Sequence, residues 1–588
     1  MPSSQQQPQH FVDSADGARI AVYEEGNPAG PTVVLVHGFP DSHVLWDGVV
    51  PQLAERFRII RYDNRGVGLS SVPKPVSAYT MDRFADDFAA VTGELSPGGP
   101  VHVLAHDWGS VGIWQYLKRP GASDRVATFT SVSGPSQDQL VDYIFSGLRQ
   151  PWRPRRFARS ISQALRFTYM LLFSVPVLAP LFLRLTMSVP ALRRNAVDNI
   201  PAEQIHHSPN LARDAARSVK TYPANYFRSF AKRERPSIVD VPVQLIVNTR
   251  DKYVRPYGYD EAARWVPRLW RRDIRAGHFS PMSHPRVLAA AVHEFADLTE
   301  GKQPSRPLLR AQVGRPRGAF GDTLVSVTGA GSGIGRETAF AFAREGAELV
   351  ISDIDEAAVK ATAAEIATRG GVAHAYVLDV SDAQAFEAYA ERVSAEHGLP
   401  DIVVNNAGIG QAGGFLDTPA EQFDRVLDVN LGGVVNGCRA FARRLVERGT
   451  GGYIVNVSSM AAYAPSQSLN AYCTSKAATY MFSDCLRAEL DTADVGLTTI
   501  CPGVIDTNII NTTRFDAPAG KQVDGRRGQL GKLFALRHYG PDKVANAILS
   551  SVQKKKPIRP VAPEAYALYG LSRLAPQGLR NAARVRMI

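Results

Sequence analysis

"VLAHDWGSVG", residues 103–112, runs from an apolar stretch into small residues set around one acid, Asp107. Ala105 and Gly109 stand two positions before and after it. A sharp strand-to-helix turn needs small neighbours of this kind, so that the central side chain projects from the carboxyl edge of a sheet. The stretch predicts a buried strand, a strained turn and a helix. An Asp at the tip is ionised near neutrality without help, since its reference pKa is about 3.9. A Ser there would need a base to take its proton; a carboxylate attacks an electrophilic carbon directly and forms an ester.

An ester must then be broken, which takes an activated water and donors for the tetrahedral oxyanion. "NTRDKYVRP" at 248–256 offers Asp251 and "RAGHFSPMSHP" at 275–285 offers His278, in the chain order nucleophile, acid, histidine. His278 is expected to deprotonate the water and Asp251 to orient it. The backbone N–H groups of Phe39, in "HGFP", and of Trp108 are the expected oxyanion donors.

Around this turn, residues 10–140 alternate apolar runs such as "TVVLVHG" with helical patterns, the signature of a mostly parallel α/β sheet. An irregular segment at 141–235 interrupts the alternation, and "VPVQLIVNT" at 241–249 resumes it. A second alternation starts at "DTLVSVTGAGSGIG" (322–335) and shares no motif with the first. Between them "EGKQPSRPLLRAQVGRPRGAFG", 300–321, is rich in Pro, Gly and Arg and reads as a linker. A chain of 588 residues exceeds one hydrophobic core, and two or three domains follow from length. The boundaries read 10–300 with a cap at 141–235, a linker at 301–320, a second domain at 321–550 and a basic tail at 551–588.

The composition, 45% hydrophobic and 21% charged, is that of a globular protein rather than a disordered one. The four cysteines, Cys438, Cys473, Cys485 and Cys501, show neither disulfide-framework nor zinc spacing, so no metal and a reducing, cytoplasmic setting are expected. The start lacks the basic and apolar regions of a secretory signal. "FTYMLLFSVPVLAPLF", 167–182, is uncharged but broken by Pro176 and Pro180 and short of the roughly 20 residues of a span. It reads as a lid. From Tyr143 to Val197 there are nine arginines and no Asp or Glu, and a basic stretch interleaved with apolar residues suits peripheral contact with anionic lipid. The net charge of +11 suits an anionic partner too, but no nucleic-acid-reading motif accompanies it.

The Asp turn, Asp251, His278 and "HGFPDSHVLWDGVVPQLAERFRIIRYDNRGVGLSS" together resemble the epoxide hydrolase branch of the α/β-hydrolase family over residues 10–300. Haloalkane dehalogenases share the Asp nucleophile but commonly place a halide-binding Asn after the HG pair, where this chain has Phe39. The resemblance implies a cap that supplies two tyrosines to the epoxide oxygen. Tyr169 matches the first. At the second, in "NYFRSF", the family's usual position holds Phe227, with Tyr226 one residue earlier, a shift of about 100° on a helix. Tyr226 is the candidate, and Tyr222 a further one. A dehalogenase-like hydrolase and a non-catalytic lipid-binding module are the competing readings.

In the second half, Gly329, Gly333 and Gly335 of "VTGAGSGIGRETA" carry the TGxxxGxG spacing between a strand and a helix, where backbone approaches a pyrophosphate at a helix N-terminus. "LVISDID" ends a strand at Asp353, whose carboxylate can hold ribose hydroxyls and repel a 2′-phosphate. NAD(H) is therefore expected over NADP(H). With "NNAG" (405–408), Asn430, "NVSS" ending at Ser459, "YCTSK" (472–476) and "PG" (502–503), the half resembles the short-chain dehydrogenases/reductases over 321–550. The resemblance implies that Tyr472 moves the proton with its pKa lowered by Lys476, four residues on. Ser459 would bind the substrate oxygen and Asn430 hold a water near Lys476. Ser332, Ile334, Asp379, Val380, Asn406, Pro502 and Gly503 join the glycines around the cofactor. It also implies a homo-oligomer. The fold expected is thus an α/β-hydrolase fold with a helical cap, followed by a Rossmann-fold dehydrogenase. The function expected is hydrolysis of a hydrophobic epoxide together with oxidation or reduction of an alcohol or ketone.

Overall fold

Val- and Leu-rich runs bounded by turn residues form strands buried on both faces when helices cover the sheet from either side. The first half of the chain uses eight: β1 (His10–Asp13), β2 (Arg19–Gly26), β3 (Thr32–Val36), β4 (Arg58–Tyr62), β5 (Val101–His106), β6 (Val126–Val132), β7 (Val243–Asn248) and β8 (Leu269–Ile274). They lie in the order β1-β2-β4-β3-β5-β6-β7-β8. The two pairings made by β2 are antiparallel and the others parallel. The structure, a computed structural model, describes residues 7–190, 200–201, 204–231, 236–506, 513–515 and 539–584.

Strand β5 is buried at all six positions and passes directly into helix α1 (Asp107–Leu117). The crossover from β6 to β7 carries the cap. Where the sequence suggested irregular chain, helices α2 (Pro154–Arg166), α3 (Tyr169–Phe173), α4 (Leu178–Ser188), α5 (Leu211–Ser218) and α6 (Thr221–Ala231) form. The apolar lid is α3, a tight bend and α4. The run α2–α3 and α4 meet at 100°, and among the described residues no single helix is long and apolar enough to cross a membrane.

The second half builds a seven-stranded parallel sheet from β9 (Leu324–Thr328), β10 (Glu348–Asp353), β11 (Val372–Val377), β12 (Ile402–Asn405), β14 (Gly452–Val457), β15 (Val495–Pro502) and β17 (Ile558–Val561). The order is β11-β10-β9-β12-β14-β15-β17. A two-residue pair, β13 (Gln411–Ala412) with β16 (Arg514–Phe515), stands apart. Helix α7 (Gly333–Arg344) follows β9, α8 (Asn470–Leu490) precedes β15, and α9 (Pro563–Leu574) follows β17. All four cysteines are free thiols.

The chain divides into two units, 1–315 and 316–588, and two expected boundaries shift. The segment read as a linker is partly structured. Ser305 caps a short helix, Arg306–Ala311, and Leu308 is buried with Trp270 and Phe295. Val313 then donates its N–H to the Leu269 carbonyl at 2.9 Å. Pro and Arg obscured Leu308, which docks on the edge of the first sheet. A domain end at 550 also cuts the second sheet short. Thr499 to Pro502 pair in register with Ile558 to Val561, so the first part of the basic tail is its edge strand, hidden in sequence by the run Lys554–Lys556. Residues 585–588 of that tail lie outside the described residues.

If residues 305–313 belong to the first unit, emptying the Leu308 site destabilises it. Leu308→Ala should cost about 2–4 kcal/mol. All six tryptophans lie between Trp46 and Trp270, so their fluorescence reports this unit alone. A urea midpoint equal to that of the unsubstituted chain would return 305–313 to the status of a tether.

Candidate active sites

Asp107 adopts φ +49°, a left-handed conformation that a non-glycine residue seldom takes. The turn is held in place by close packing on both sides. A Cβ on Gly109 would lie 2.2 Å from the His37 carbonyl oxygen, and one on Gly38 would lie 2.5 Å from Asp107 Cβ. Small residues at these positions are obligatory, and the result is a carboxylate lifted off the end of β5.

Three side chains from three loops converge there. His278 Nδ1 lies 2.9 Å from Asp251 Oδ2, and its Nε2 lies 3.4 Å from Asp107 Oδ2. The other oxygen of Asp251 accepts the N–H groups of Tyr253 and Val254 at 2.7 and 3.0 Å, which fixes its aim. Asp251 is 1% and His278 4% exposed at the side chain, while Asp107 keeps 18%. The member that has to meet a substrate is the accessible one. Phe39 donates its N–H to Asp107 Oδ1 at 2.9 Å, so this donor already faces the carbon that would become tetrahedral. Trp108 follows Asp107 in the first turn of α1.

Charges in this cluster are mutually dependent. Burial by itself would push His278 down, but Asp251 and Asp107 outweigh it and carry the imidazole up to about 10. Burial would likewise raise both carboxyls, and the hydrogen bond and charge of His278 hold Asp107 and Asp251 below the ordinary range. The unliganded site is therefore an imidazolium between two carboxylates. His106 is pushed down to about 4, chiefly by burial and then by His278, and its Nε2 contacts the His278 carbonyl oxygen at 2.9 Å.

The cap closes over Asp107 with Tyr169 and Tyr222. Their rings are 5.9 Å apart, and Tyr222 also meets Trp108 at 5.4 Å and Phe39 at 5.1 Å. Burial, with Asp107 nearby, raises both phenols well above their usual range, so both stay protonated donors. The ring that meets Tyr169 is that of Tyr222, whereas Tyr226 is partly buried in a neighbouring cluster. It lies one turn further along α6 and packs with Leu140, Tyr143, Ile144 and Phe167. The sequence offered both tyrosines, and only the docking of α6 on Trp108 separates them. Tyr253, whose ring lies 4.8 Å from His278 and 5.3 Å from Tyr169, went unnoticed; its place two residues after Asp251 was the available signal.

In the second unit one cavity of about 500 Å³ is lined by Gly329, Ser332, Gly333, Ile334, Asp353, Asp379, Val380, Asn406, Ser459, Tyr472, Lys476, Pro502 and Gly503. Of the residues singled out from sequence, Gly335 and Asn430 stand behind this wall. A Cβ on Gly335 would lie 2.0 Å from the Gly329 carbonyl oxygen, so only glycine lets α7 begin this close to the turn after β9. Asn406 donates from its amide to the carbonyls of Thr328 and Gly329 and fixes the loop from the other side. Asp353 accepts the Gly331 N–H at 2.8 Å and that of Asp355 at 3.1 Å, which turns it toward the glycine loop. Asp379 is held by Ser381 and Arg425. A glycine-bare helix N-terminus at one end and an acid at the adjoining strand end fit a nicotinamide dinucleotide.

At the other end of the cavity Tyr472 and Ser459 line the same wall, and the Ser459 hydroxyl accepts the Ala461 N–H at 3.2 Å. Ser458 instead donates to the Lys476 carbonyl at 2.7 Å and anchors α8. Lys476 donates to the Val457 carbonyl at 3.1 Å, with its ammonium 5.8 Å from the Tyr472 ring centre. The expected lowering of Tyr472 is not present here: burial raises it, Ser459 offsetting part of the effect, and burial also brings Lys476 down to about 8. Asn430 exchanges hydrogen bonds with both main-chain groups of Ile409, and its carbonyl accepts from Thr479. A Cβ on Gly408 would lie 3.0 Å from the Asn430 amide oxygen and 3.3 Å from the Lys476 ammonium, so Gly408 separates the two. Glu564, from α9, was also missed; it accepts the Val504 N–H at 2.8 Å and ties down the loop after Pro502 and Gly503.

Comparison with known proteins agrees with this division. Residues 31–285 match the family model for the alpha/beta hydrolase fold, and residues 323–517 that for short chain dehydrogenase. The chain is 79% identical to the "Probable oxidoreductase EphD" of Mycobacterium tuberculosis over the full length of both. It is 32% identical to the "C alpha-dehydrogenase" of a Sphingobium strain over 40% of this chain and 78% of that one. A crystal structure of a short chain dehydrogenase/reductase from Burkholderia phymatum in complex with NAD is 26% identical, covering 45% of this chain and 96% of that one at a TM-score of 0.42.

The charge coupling in the first site is directly measurable. Asp107→Asn is neutral and close in shape, and removing one of the two carboxylates should lower the protonation midpoint of His278 from about 10 by more than a unit. Imidazole NMR across the pH range reads this. An unchanged midpoint would mean that Asp107 does not share the charge of His278.

Proposed function

Because the chain belongs over its whole length to the family of the mycobacterial oxidoreductase EphD, with a short-chain dehydrogenase unit behind an α/β-hydrolase unit, we propose that it is a bifunctional enzyme. Its first unit hydrolyses a hydrophobic epoxide to a diol through an ester on Asp107. Its second unit oxidises an alcohol or reduces a ketone with NAD(H). The observation that carries the first reading is the pair of cap tyrosines, Tyr169 and Tyr222, whose rings meet at 5.9 Å, with Tyr222 against Trp108 beside Asp107, both kept protonated chiefly by burial.

Asp107 attacks one epoxide carbon, the C–O bond breaks, and the oxygen left as an alkoxide receives a hydrogen bond and then a proton from the tyrosine side. Ester formation removes the negative charge of Asp107. His278 then has one carboxylate partner instead of two, and its proton is released; the count balances with the proton gained by the alkoxide. Neutral His278 next takes a proton from water, and the hydroxide attacks the ester carbonyl carbon. The N–H groups of Phe39 and Trp108 stabilise the oxyanion. Collapse frees the diol and restores the Asp107 carboxylate and the imidazolium. The Phe39 and paired-tyrosine arrangement favours this over dehalogenation, where a halide would need a donor in place of the Phe39 side chain.

In the second unit a nicotinamide dinucleotide held by the glycine loop and Asp353 would supply or accept a hydride. Ser459 orients the substrate oxygen and Tyr472 exchanges the proton there. Lys476 lies beside it with a pKa of about 8, so its charge is sensitive to whatever anionic or hydroxyl group adjoins it. Asp353, already at the glycine loop, disfavours a 2′-phosphate by charge.

Two experiments test these readings. With enzyme in excess over an epoxide in heavy-oxygen water, the first diol should carry ordinary oxygen, and His278→Gln should accumulate a mass-detectable ester on Asp107. Immediate heavy-oxygen incorporation without an ester would refute the nucleophile.

For the cofactor, Asp353→Ala should weaken NADH binding by about tenfold or more, the loss of a charge-assisted hydrogen bond worth about 1.5–3 kcal/mol, and narrow the preference over NADPH. Nicotinamide fluorescence titrations read both. A parent chain that prefers NADPH would overturn the charge argument.

A further inference from the structure

The cap helices have two different apolar faces. The inner one lies over the nucleophile: Tyr169, Met170, Phe173, Ala179 and Leu183 pack with Trp108 and Tyr222. The outer one covers nothing in the described structure. Leu171, Leu172, Val175, Leu178, Leu181 and Phe182 are all exposed, as are Leu185 and Val189 beyond them. A helix apolar all round is ordinarily a core helix, and α4 has an apolar side in water. A contiguous exposed patch of this kind marks an interaction surface.

The tip of the patch is its most exposed and least relaxed part. Val177 is 77% exposed and has φ +68°, a conformation that a β-branched residue rarely adopts. It sits at the 100° bend among Val175, Pro176 and Leu178, so an apolar knuckle is presented outward. Within the described stretch 143–190 every charged side chain is an arginine. Arg149, Arg153, Arg155 and Arg184 are exposed, and among the described residues none is paired with a carboxylate; Arg156 and Arg159 meet Glu261 and Asp260. Arg193 and Arg194 lie outside the described residues. Trp152, 72% exposed, stands among these arginines, a side chain suited to the boundary between headgroups and acyl chains.

We propose that the outer face of α3 and α4 docks on the surface of an anionic bilayer, with the Val175–Leu178 knuckle entering the acyl boundary and the arginines meeting the headgroups. Apolar insertion and charge attraction add at such a surface, and neither suits a soluble partner lacking both. Resting on the reading of the first unit as an epoxide hydrolase, the same two helices then connect bilayer and nucleophile: one face touches lipid, the other lines the chamber over Asp107. A substrate held in the bilayer would then reach Asp107 from the lipid side rather than from water.

The test uses the full chain. Vesicles of phosphatidylglycerol with phosphatidylcholine should carry it upward on flotation at low salt, and phosphatidylcholine alone should not. Leu178→Asp with Leu181→Asp should weaken this binding by at least about tenfold, because two apolar side chains leave the acyl boundary. Arg153→Gln with Arg155→Gln, on exposed side chains, should weaken it as well and reduce its salt dependence. The leucine variant should hydrolyse a short water-soluble epoxide at the parental rate and lose turnover of an acyl-chain epoxide held in vesicles. Asp107→Asn should float like the parent. Flotation as expected with no turnover of any epoxide would leave the docking standing and defeat the hydrolase reading. No flotation of the parent, equal flotation of both variants, or a concentration-dependent dimer that the leucine changes abolish in place of vesicle binding would each overturn the proposal.

Discussion

An imidazole held between two carboxylates is the constraint on which the first unit depends. Asp107, Asp251 and His278 follow β5, β7 and β8, and a parallel sheet brings the carboxyl ends of these strands to one edge. Each then needs its own local fixing. Asp107 is held by the left-handed turn and by the Phe39 N–H, Asp251 by two backbone donors, and the His278 main chain by contacts from His106 and Asn248. Buried charges are tolerated when paired and hydrogen-bonded, and an unpaired one would be costly. Neutralising any member therefore alters the protonation of the others.

Much of this was legible in the sequence because the chemistry sits in short contiguous motifs. Asp107 with its small neighbours, the Asp251 to His278 order and the glycine spacing from 329 to 335 each express a local backbone demand that few residue types meet. The strand alternation set both sheets for the same reason. Tertiary docking was not legible. Tyr222 and Tyr226 are one turn apart on one helix, and nothing local says which of them faces Trp108. Leu308 reads as linker because Pro and Arg surround it, yet its burial is decided by Trp270 and Phe295, distant in the chain. The edge strand Ile558–Val561 was masked by the lysines before it, because an edge strand needs little apolar length when a neighbour such as β15 supplies the register.

The cap illustrates how one sequence signal carries two structural meanings. The uncharged run 167–182 has apolar residues at nearly every position, so periodicity could not divide it into faces. In the structure Tyr169, Phe173, Ala179 and Leu183 turn toward the chamber, and Leu172, Leu178, Leu181 and Phe182 turn away. Pro176 limits helix continuation, and the bend that results shortens each helix below the length of a span while exposing the junction. A run that composition alone places between lid and membrane segment thus forms a lid with an apolar exterior.

The two sites differ in how their charge is balanced. In the first unit the buried cation, His278, has its anions built into the chain, and they hold its proton in place. In the second, Lys476 is buried with a main-chain carbonyl as its hydrogen-bond acceptor, and burial brings it to about 8, close enough to neutrality for a neighbouring group to set its state. Tyr472 is raised by the same burial. Burial thus moves the two groups apart and favours a neutral phenol beside a readily deprotonated amine, and an additional hydroxyl or phosphate oxygen beside Lys476 would restore its charge and lower the phenol. The first site is thus complete in its resting charge, and the second is tuned to acquire its working charge from what binds in the cavity beside the glycine loop.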